Sequence, residues 1–338
     1  MQITAVTCVK NEGPFLLEWI AFNRVIGVTD FLFYSNDCDD GTEVLLDALA
    51  ARGIVQHLPN PAEGRNYQME ALKDAKRQDV VTAADWVWVA DVDEFLNIHL
   101  GDGSIPDLIA ACDNPQAISV TFQFFANAGV EDFEDRPVIE QFTHAHDPDN
   151  WCGETAIEVK TLVRADFPLK YYGAHRPFLR RGGSAVWTDG AGRPVPRPFI
   201  EAEIPRRIRK FPAKGARTHA TLNHYALRSL DSYLVKNDRG DVNRENRDFD
   251  DAYWRERNDP AYEDRSILRH LQALKAEMDR LKDPEIAALH DDCVRLHRAK
   301  RDALMDQPAY QAMRAQLQAA PTVPPLEEAF LLDLGLAP

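Results

Sequence analysis

The sequence has little of what marks several large protein classes. Its five cysteines are scattered and show no Cys-x-x-Cys spacing, so we expect neither a disulfide framework nor a zinc knot, and a reducing compartment is favoured. No apolar stretch approaches the length of a membrane span. The N-terminal residues also lack the basic region and the long apolar region of a signal peptide. These absences predict a soluble cytoplasmic protein and leave peripheral contact with a membrane open.

Positive charge is also scarce. Lys and Arg together number 39 against 54 Asp and Glu, which gives a formal net charge of −15 and a pI of about 5.1. Such a surface repels polyphosphate backbones, so nucleic acid is not an expected partner. The hydrophobic content of 45% supports a sizeable core. A chain of 338 residues suffices for one large domain or for a domain with an appendage.

Strand and helix patterns alternate along the first part of the chain. Short β-branched and aromatic runs predict strands at 2–9, 30–34, 55–58 and 86–90, and helical spacing predicts a helix in each interval. This order implies a mainly parallel sheet with right-handed crossovers, which is a Rossmann-like α/β fold. Neither Gly-x-Gly-x-x-Gly nor a Gly-Lys-Ser/Thr loop follows the first strand. Phosphate charge would therefore be met by a metal and by basic side chains.

The second part of the chain is less regular. Residues 182–214 are rich in Pro, Gly and Arg and predict a long loop, whereas 267–281 and 284–305 have the apolar spacing of helices. These two helices resemble an αα-hairpin appended to the sheet. We therefore divide the chain into a sheet domain at 1–240 and a C-terminal helical region at 241–338. The C-terminal helices are expected to pack on the core or to form a homo-oligomer.

An apolar strand ends abruptly in the acidic stretch Asp91-Val-Asp93-Glu94. Ligands of open α/β sheets bind just outside the carboxyl ends of strands. On an extended backbone Asp91 and Asp93 would leave the same face. Two carboxylates on one face suit a hard divalent cation such as Mg²⁺ or Mn²⁺, which commonly bridges carboxylates to a diphosphate. The alternative is a solvated acidic turn.

Several motifs together resemble a known family. The resemblance is to the glycosyltransferase family 2-like proteins of the GT-A fold, in the bacterial branch related to family 92, and it spans roughly residues 1–240. The motifs, in chain order, are Lys10-Asn11-Glu12, the stretch Ser35-Asn-Asp-Cys-Asp-Asp-Gly-Thr42, Arg65-Asn-Tyr-Gln68, Asp91-Val-Asp-Glu-Phe95, His175-Arg-Pro177 and Asn223-His-Tyr225. The resemblance implies a nucleotide-sugar donor whose diphosphate lies on Mn²⁺ or Mg²⁺.

The resemblance also implies roles for single residues. Asp93 would ligate the metal directly, Asp91 would hold the ribose or reach the metal, and His224 would be the third protein group on the metal. Arg65 would contact the base or the diphosphate, and Lys236 would reach the diphosphate. A surface arginine is the alternative for Arg65, and a solvated helix face explains Lys236 almost as well. The full set of expected donor-binding residues is Lys10, Asn11, Glu12, Asp37, Asp39, Arg65, Asp91 and Lys236.

The candidates for the general base, which takes the proton of the acceptor hydroxyl, are Asp189, Glu154 and His175. Asp189 lies beside Trp187, whose ring could stack on a sugar, and geometry decides such a choice before pKa does. Inversion of configuration is implied by the resemblance alone.

Our sequence-based hypothesis is a metal-dependent glycosyltransferase that acts on a carbohydrate or glycolipid acceptor in surface polysaccharide or glycoconjugate synthesis. Two alternatives stay open. One is a nucleotidyltransferase, which shares a similar sheet and metal site but usually has a Gly-rich basic loop after its first strand. The other is a non-catalytic sugar- or nucleotide-binding protein of the same fold.

Overall fold

A mixed β-sheet forms the centre of the computed structural model, which describes residues 1–64, 66–148, 158–201, 214–240, 251–322 and 335. Within these residues the sheet has nine strands. The strands of the chain are β1 Ile3–Val9, β2 Asp30–Ser35, β3 Gln56–Pro59, β4 Trp86–Val89, β5 Glu94–Ile98, β6 Ala117–Phe124, β7 His144–Ala145, β8 Val159–Arg164, β9 Leu169–Tyr171, β10 Phe178–Leu179, β11 Trp187–Asp189, β12 Ala220–His224 and β13 Tyr262–Glu263.

The order across the central sheet is β3-β2-β1-β4-β8-β6-β12-β5, and β11 also pairs with β6. Strands β3, β2, β1 and β4 are parallel. Strand β8 runs antiparallel to both of its neighbours, β4 and β6, and β5 runs antiparallel to β12. Strand β12 is parallel to β6. The carboxyl ends of β1, β2, β4, β6 and β12 therefore lie at one edge of the sheet, where the polar motifs follow.

Helices cover the sheet. They are α1 Leu16–Val25, α2 Thr42–Ala51, α3 Tyr67–Ala75, α4 Asp79–Thr82, α5 Ile105–Ala111, α6 Val138–Gln141, α7 Arg197–Glu201, α8 Leu230–Arg239, α9 Asp251–Arg257, α10 Leu271–Leu281, α11 Pro284–Met305 and α12 Pro308–Ala319. Short 3₁₀ turns at Gly13–Phe15 and Ser266–His270 precede α1 and α10. Within the described residues no helix is long and apolar enough to cross a membrane.

The predicted α/β class, with a mainly parallel sheet flanked by helices and further helices at the C-terminal end, is confirmed. Two local predictions are wrong. The single helix expected between the third and fourth predicted strands is broken into α3 and α4. The loop expected over 182–214 contains β11, which extends the sheet beside β6, and the short helix α7. Periodicity within one segment does not report pairing with a distant strand, so β11 was missed.

The C-terminal helices pack directly on the sheet domain. Helix α10 lies against α1, and α11 lies against α2, α8 and the 3₁₀ turn at Gly13–Phe15. Their buried apolar side chains join the same hydrophobic cluster as β1 and α1: Ile267, Leu274, Leu281, Ile286 and Cys293. Burying one such side chain contributes roughly 1.5–3 kcal/mol. The boundary at 240 stays a prediction, because 241–250 lie outside the described residues.

Candidate active site

The acidic stretch after β4 forms a tight turn. The Glu94 amide donates to the Asp91 carbonyl at 3.0 Å, and the Glu94 carboxylate accepts from the Asp91 amide at 2.9 Å. The extended backbone expected for Asp91 and Asp93 is therefore wrong, because the glutamate folds back onto the start of the turn and the chain reverses into β5. Asp93 and Glu94 are buried, and Asp91 is half-exposed.

His224 reaches this turn from the end of β12. Strands β12 and β5 are antiparallel with His224 opposite Glu94, and this register places His224 Nε2 3.5 Å from Asp93 Oδ1. The rings of Phe122 and Phe124 lie 5.0 and 5.3 Å from the imidazole, centroid to centroid. Burial lowers the pKa of His224, so the imidazole is neutral near pH 7, which is the form that ligates metals.

Two lysines contact the carboxylates of the turn. Lys236 on α8 donates from Nζ to Asp93 Oδ2 at 2.8 Å and to the Ala226 carbonyl at 2.9 Å. Burial by itself would raise the pKa of Asp93, but Lys236 and then His224 hold it well below its usual value. Lys236 was expected on the diphosphate; the structure places its ammonium group on the carboxylate that was expected to ligate the metal.

The second of these lysines, Lys160 on β8, was missed by the sequence analysis. Its Nζ lies 2.8 Å from Asp91 Oδ2 and 3.2 Å from Glu94 Oε2, and its side chain is 1% exposed. Burial by itself would lower the pKa of Lys160, but Asp91 and Glu94 raise it, so it carries a positive charge. A lysine inside an apolar strand was the available signal, since lysines are almost never fully buried without a partner.

The loop after β1 is tied to α8 through a buried carboxylate. Glu12 binds Arg228 at 2.8 Å and Arg239 at 2.5 Å, and all three side chains are at most 8% exposed. Arg239 also donates to the carbonyls of Lys10 and Asn11. Although burial favours the protonated form of Glu12, Arg228 and Arg239 lower its pKa. Glu12 thus holds the loop against α8, and Arg228 is a second residue that the sequence analysis missed.

The loops after β1 and β2 are joined by side-chain amide contacts. Asn11 Nδ2 donates to Asp39 Oδ1 at 2.6 Å, and the Asp39 amide donates to Asn11 Oδ1 at 2.8 Å. Asp37 is exposed and has a positive φ of 49°. Asp40 accepts hydrogen bonds from backbone amides and so shapes the turn. Asn11, Asp37 and Asp39 therefore stand at the same edge of the sheet as the acidic turn.

The three base candidates have different positions. His175 Nδ1 donates to the Val159 carbonyl at 3.2 Å, and its ring lies 6.1 Å from that of Phe122, which also contacts His224. The structure thus places His175 beside the cluster. Glu154, like the expected donor ligand Arg65, lies outside the described residues.

Asp189 is not brought to the acidic turn. It pairs with Ser119 near the start of β6, whereas His224 pairs with Phe124 at the end of that strand. The positions of Asp189 and His224 along β6 are therefore about 16 Å apart. Its carboxylate accepts from the Arg193 guanidinium and the Arg193 amide. In this position Asp189 closes a loop at the opposite edge of the sheet.

One group of side chains in the described part of the chain could hold a metal ion. Ligand atoms of Asp93, Glu94 and His224 all lie within 4.8 Å of one another. Carboxylate oxygens with a neutral imidazole suit Mn²⁺, so the donor set fits the expected cofactor. Asp91 is not in this group; its carboxylate accepts from Lys160 and from Gln68 instead.

Comparison with known families gives a match to the model described as Glycosyltransferase family 92, over residues 4–184. This match covers more than half of the chain and includes the acidic turn and Lys160. It ends before β12 and α8, so His224, Arg228, Lys236 and Arg239 lie beyond it.

Curated relatives match a shorter region. A glycosyltransferase family 92 protein of Oryza sativa subsp. japonica is 29% identical over 107 residues, which cover 30% of this chain and 17% of that protein. One of Ricinus communis is 27% identical over 104 residues, which cover 30% of this chain and 18% of that protein. The matched part thus spans less than a fifth of each of these relatives.

Two solved structures that match this chain have low sequence identity to it and low TM-scores. The crystal structure of S. aureus TarS 1-349 has a TM-score of 0.32 and 9% identity, and the alignment covers 98% of this chain and 92% of that one. HddC from Yersinia pseudotuberculosis has a TM-score of 0.30 and 12% identity, with 56% and 94% coverage. Neither likeness is close enough to carry a conclusion about this chain.

Proposed function

Because the chain belongs to glycosyltransferase family 92, we propose that it transfers a sugar from a nucleotide-sugar donor to a hydroxyl group of a carbohydrate or glycolipid acceptor. The reaction depends on a divalent metal, Mn²⁺ or Mg²⁺, and inverts the configuration of the transferred sugar. A role in surface polysaccharide or glycoconjugate synthesis, in the cytoplasm, is part of the same proposal.

The convergence of Asp93, Glu94 and His224 on one point carries the proposal. These residues come from the end of one strand, the start of the next and the end of a distant strand, and they meet at the edge of the sheet where α/β proteins bind ligands. A bound metal would supply Lewis-acid stabilisation of the departing nucleoside diphosphate. Asp93 and His224 would hold it.

Cationic side chains on α8 complete the donor site. Lys236 and Arg239 lie on one helix, three residues apart, and therefore project to the same side of it. Lys236 would bind the diphosphate and stabilise the charge that grows on it as the glycosidic bond breaks, while Arg239, bonded to Glu12, would keep the loop after β1 beside it. Asn11, Asp37 and Asp39 stand at the neighbouring strand ends, where they would orient the nucleoside.

His175 is the best-placed described candidate for the general base. Its Nδ1–H donates to the Val159 carbonyl and its Nε2 lies 3.9 Å from the Glu158 carboxylate, so Nε2 is the nitrogen through which His175 would accept a proton and Glu158 would stabilise the resulting charge. In an inverting transfer this nitrogen would take the acceptor hydroxyl proton as the oxygen attacks the anomeric carbon and the nucleoside diphosphate leaves. Its ring contact with Phe122 keeps it near the proposed metal position.

A thermal-shift screen tests the proposal. Nucleoside diphosphates and nucleotide sugars are added with and without Mn²⁺, because a ligand that binds only the folded state must raise the melting temperature. We expect at least one nucleoside diphosphate to stabilise the unaltered protein only when Mn²⁺ is present, and this stabilisation should be lost in Asp93→Asn. Stabilisation that is independent of both Mn²⁺ and Asp93 would contradict the metal assignment.

The reaction itself separates glycosyl transfer from nucleotidyl transfer. Incubation of the stabilising nucleotide sugar with acceptor should release a nucleoside diphosphate. Release of pyrophosphate from a nucleoside triphosphate and a sugar phosphate would instead identify a nucleotidyltransferase. Binding with neither product would indicate a non-catalytic member of the family.

A further inference from the structure

We propose that Lys236 is a built-in counter-cation for the metal site: its ammonium group holds Asp93 until a diphosphate draws it away. Metal binding and diphosphate binding would then be coupled through the position of one side chain. This inference rests on the proposed function, because it concerns the same metal and the same donor diphosphate.

The hydrogen bonds of Asp93 are the first observation. Lys236 Nζ lies 2.8 Å from Asp93 Oδ2, and His224 Nε2 lies 3.5 Å from Asp93 Oδ1. The ammonium group also donates to the Ala226 carbonyl at 2.9 Å. A metal ion bound between Asp93 and His224 would therefore stand next to an ammonium group that shares its carboxylate, and the two positive charges would repel each other strongly in a buried site.

The charge balance around the turn is the second observation. The acidic groups Glu12, Asp91, Asp93 and Glu94 face four cations, Lys160, Lys236, Arg228 and Arg239. Even with all four carboxylates ionised, these eight groups carry no net negative charge before any metal binds. A divalent cation would add two positive charges to this largely buried cluster, which is costly unless negative charge enters with it or a cation leaves Asp93. A diphosphate supplies that negative charge.

Lys236 is better suited to move than the other cations of the cluster. Lys160 is held between two carboxylates on a buried strand and is 1% exposed. Arg228 and Arg239 are held by buried Glu12. The Lys236 side chain is 16% exposed, and its four-carbon stem can turn to a phosphate oxygen without any shift of α8. Lys236 thus exchanges one anionic partner for another.

Two consequences follow from this exchange. Metal alone should bind weakly, because it must displace or tolerate the ammonium group. Diphosphate should strengthen metal binding beyond their direct contact, and by linkage the metal should strengthen diphosphate binding by the same factor. Lys236 is a positioning residue in this account, since it acts through Asp93.

Mn²⁺ binding without nucleotide, followed by electron paramagnetic resonance, tests the inference. We expect Lys236→Met to bind Mn²⁺ on the order of tenfold more tightly than the unaltered protein, because methionine keeps the length of the side chain and removes its charge. Lys236→Arg keeps the charge and should bind as weakly as the unaltered protein. Lys275→Met is the matched control: it removes one lysine charge from an ion pair with Glu140 on the half-exposed α10 surface and should leave the affinity unchanged.

The outcomes separate this inference from the proposed function. If the unaltered protein binds Mn²⁺ through Asp93 and His224 but Lys236→Met binds it no more tightly, the inference is wrong and the metal site stands. If Lys236→Met also fails to bind Mn²⁺ without nucleotide, the inference is wrong, and the proposed function is decided separately by the Mn²⁺-dependent thermal shift with nucleoside diphosphate.

A crystal structure of the unaltered protein with Mn²⁺ and pyrophosphate gives a second readout that does not depend on how a variant folds. We expect Lys236 Nζ on a phosphate oxygen and beyond hydrogen-bond distance of Asp93. An ammonium group that remains on Asp93 beside the bound metal would overturn the inference.

Discussion

Replacement of Glu12 by glutamine should weaken the fold at the point where α8 meets the loop after β1. The carboxylate of Glu12 is the anionic partner of both Arg228 and Arg239. An amide of the same shape keeps the packing but leaves two buried guanidinium groups without a counter-charge. The loss of folding stability is therefore mainly electrostatic.

The expected magnitude follows from what remains around the two arginines. Removal of one partner from a buried ion pair costs about 3–5 kcal/mol. Arg239 would keep the Lys10 and Asn11 carbonyls, and Arg228 would keep its position 3.5 Å from the centroid of the Phe15 ring. These contacts offset part of the loss, so we expect Glu12→Gln to lower the free energy of unfolding by about 3 kcal/mol.

Urea denaturation followed by circular dichroism measures this free energy. Glu70→Gln is the matched control, because the Glu70 ion pair with Lys73 is exposed on both sides and should cost less than about 1 kcal/mol. A Glu12→Gln variant that is no less stable than the Glu70→Gln control would refute the reasoning, since it would mean that the two arginines do not depend on Glu12.

The remaining predictions concern three other contacts. Burial raises the pKa of Glu18 from 4.5 to about 7. The protonated form, which is the more stable one in the folded protein, is lost as the pH rises through this range. The free energy of unfolding of the unaltered protein, relative to that of Glu18→Gln, should therefore fall by up to about 3 kcal/mol between pH 4 and pH 8, measured by denaturation at each pH. Asp231, fully buried on α8, binds Arg301 of α11 and Arg314 of α12, so Asp231→Asn should lower the free energy of unfolding by about 1.5–3 kcal/mol. Asp238→Asn is the control, because it removes a more exposed pair with Lys300 on the same face of α8. It should lower the free energy of unfolding by less than about 1 kcal/mol. His224→Ala should weaken Mn²⁺-supported nucleoside diphosphate binding by on the order of tenfold in calorimetric titrations, and equal affinity in the two proteins would contradict its assignment as a ligand.

Local sequence patterns were sufficient for the elements whose type is set by short-range periodicity. The alternation over β1 to β4 predicted the parallel half of the sheet, and the start of α5 is set locally by a capping box between Ser104 and Asp107. The helical spacing at 267–281 and 284–305 predicted α10 and α11. In these segments side-chain periodicity and capping residues act within a few residues of each other, so the sequence carries the information directly.

Features that depend on strand order were not predictable from these patterns. The reversal at Asp91–Glu94 creates β5, whose pairing with β12 brings His224 to Asp93 across more than a hundred residues of chain. The motif resemblance singled out His224 and placed it on the same metal as Asp93, whereas Glu94, which pairs with His224 across the two strands, was not expected among the metal ligands. Lys160 was missed because a local pattern does not show that β8 inserts between β4 and β6. Only this insertion brings Lys160 to Asp91 and Glu94.

The position of a metal ion relative to His224 tests the central claim most directly. Crystals grown with Mn²⁺ and the nucleoside diphosphate selected by the thermal-shift screen allow the ion to be located by its anomalous scattering. The account predicts a single Mn²⁺ bound directly by His224 Nε2 and an Asp93 oxygen, with distances of roughly 2.0–2.3 Å, and in contact with the diphosphate. A nucleoside diphosphate bound at this edge of the sheet with the manganese absent, or with His224 turned away from it, would contradict the account.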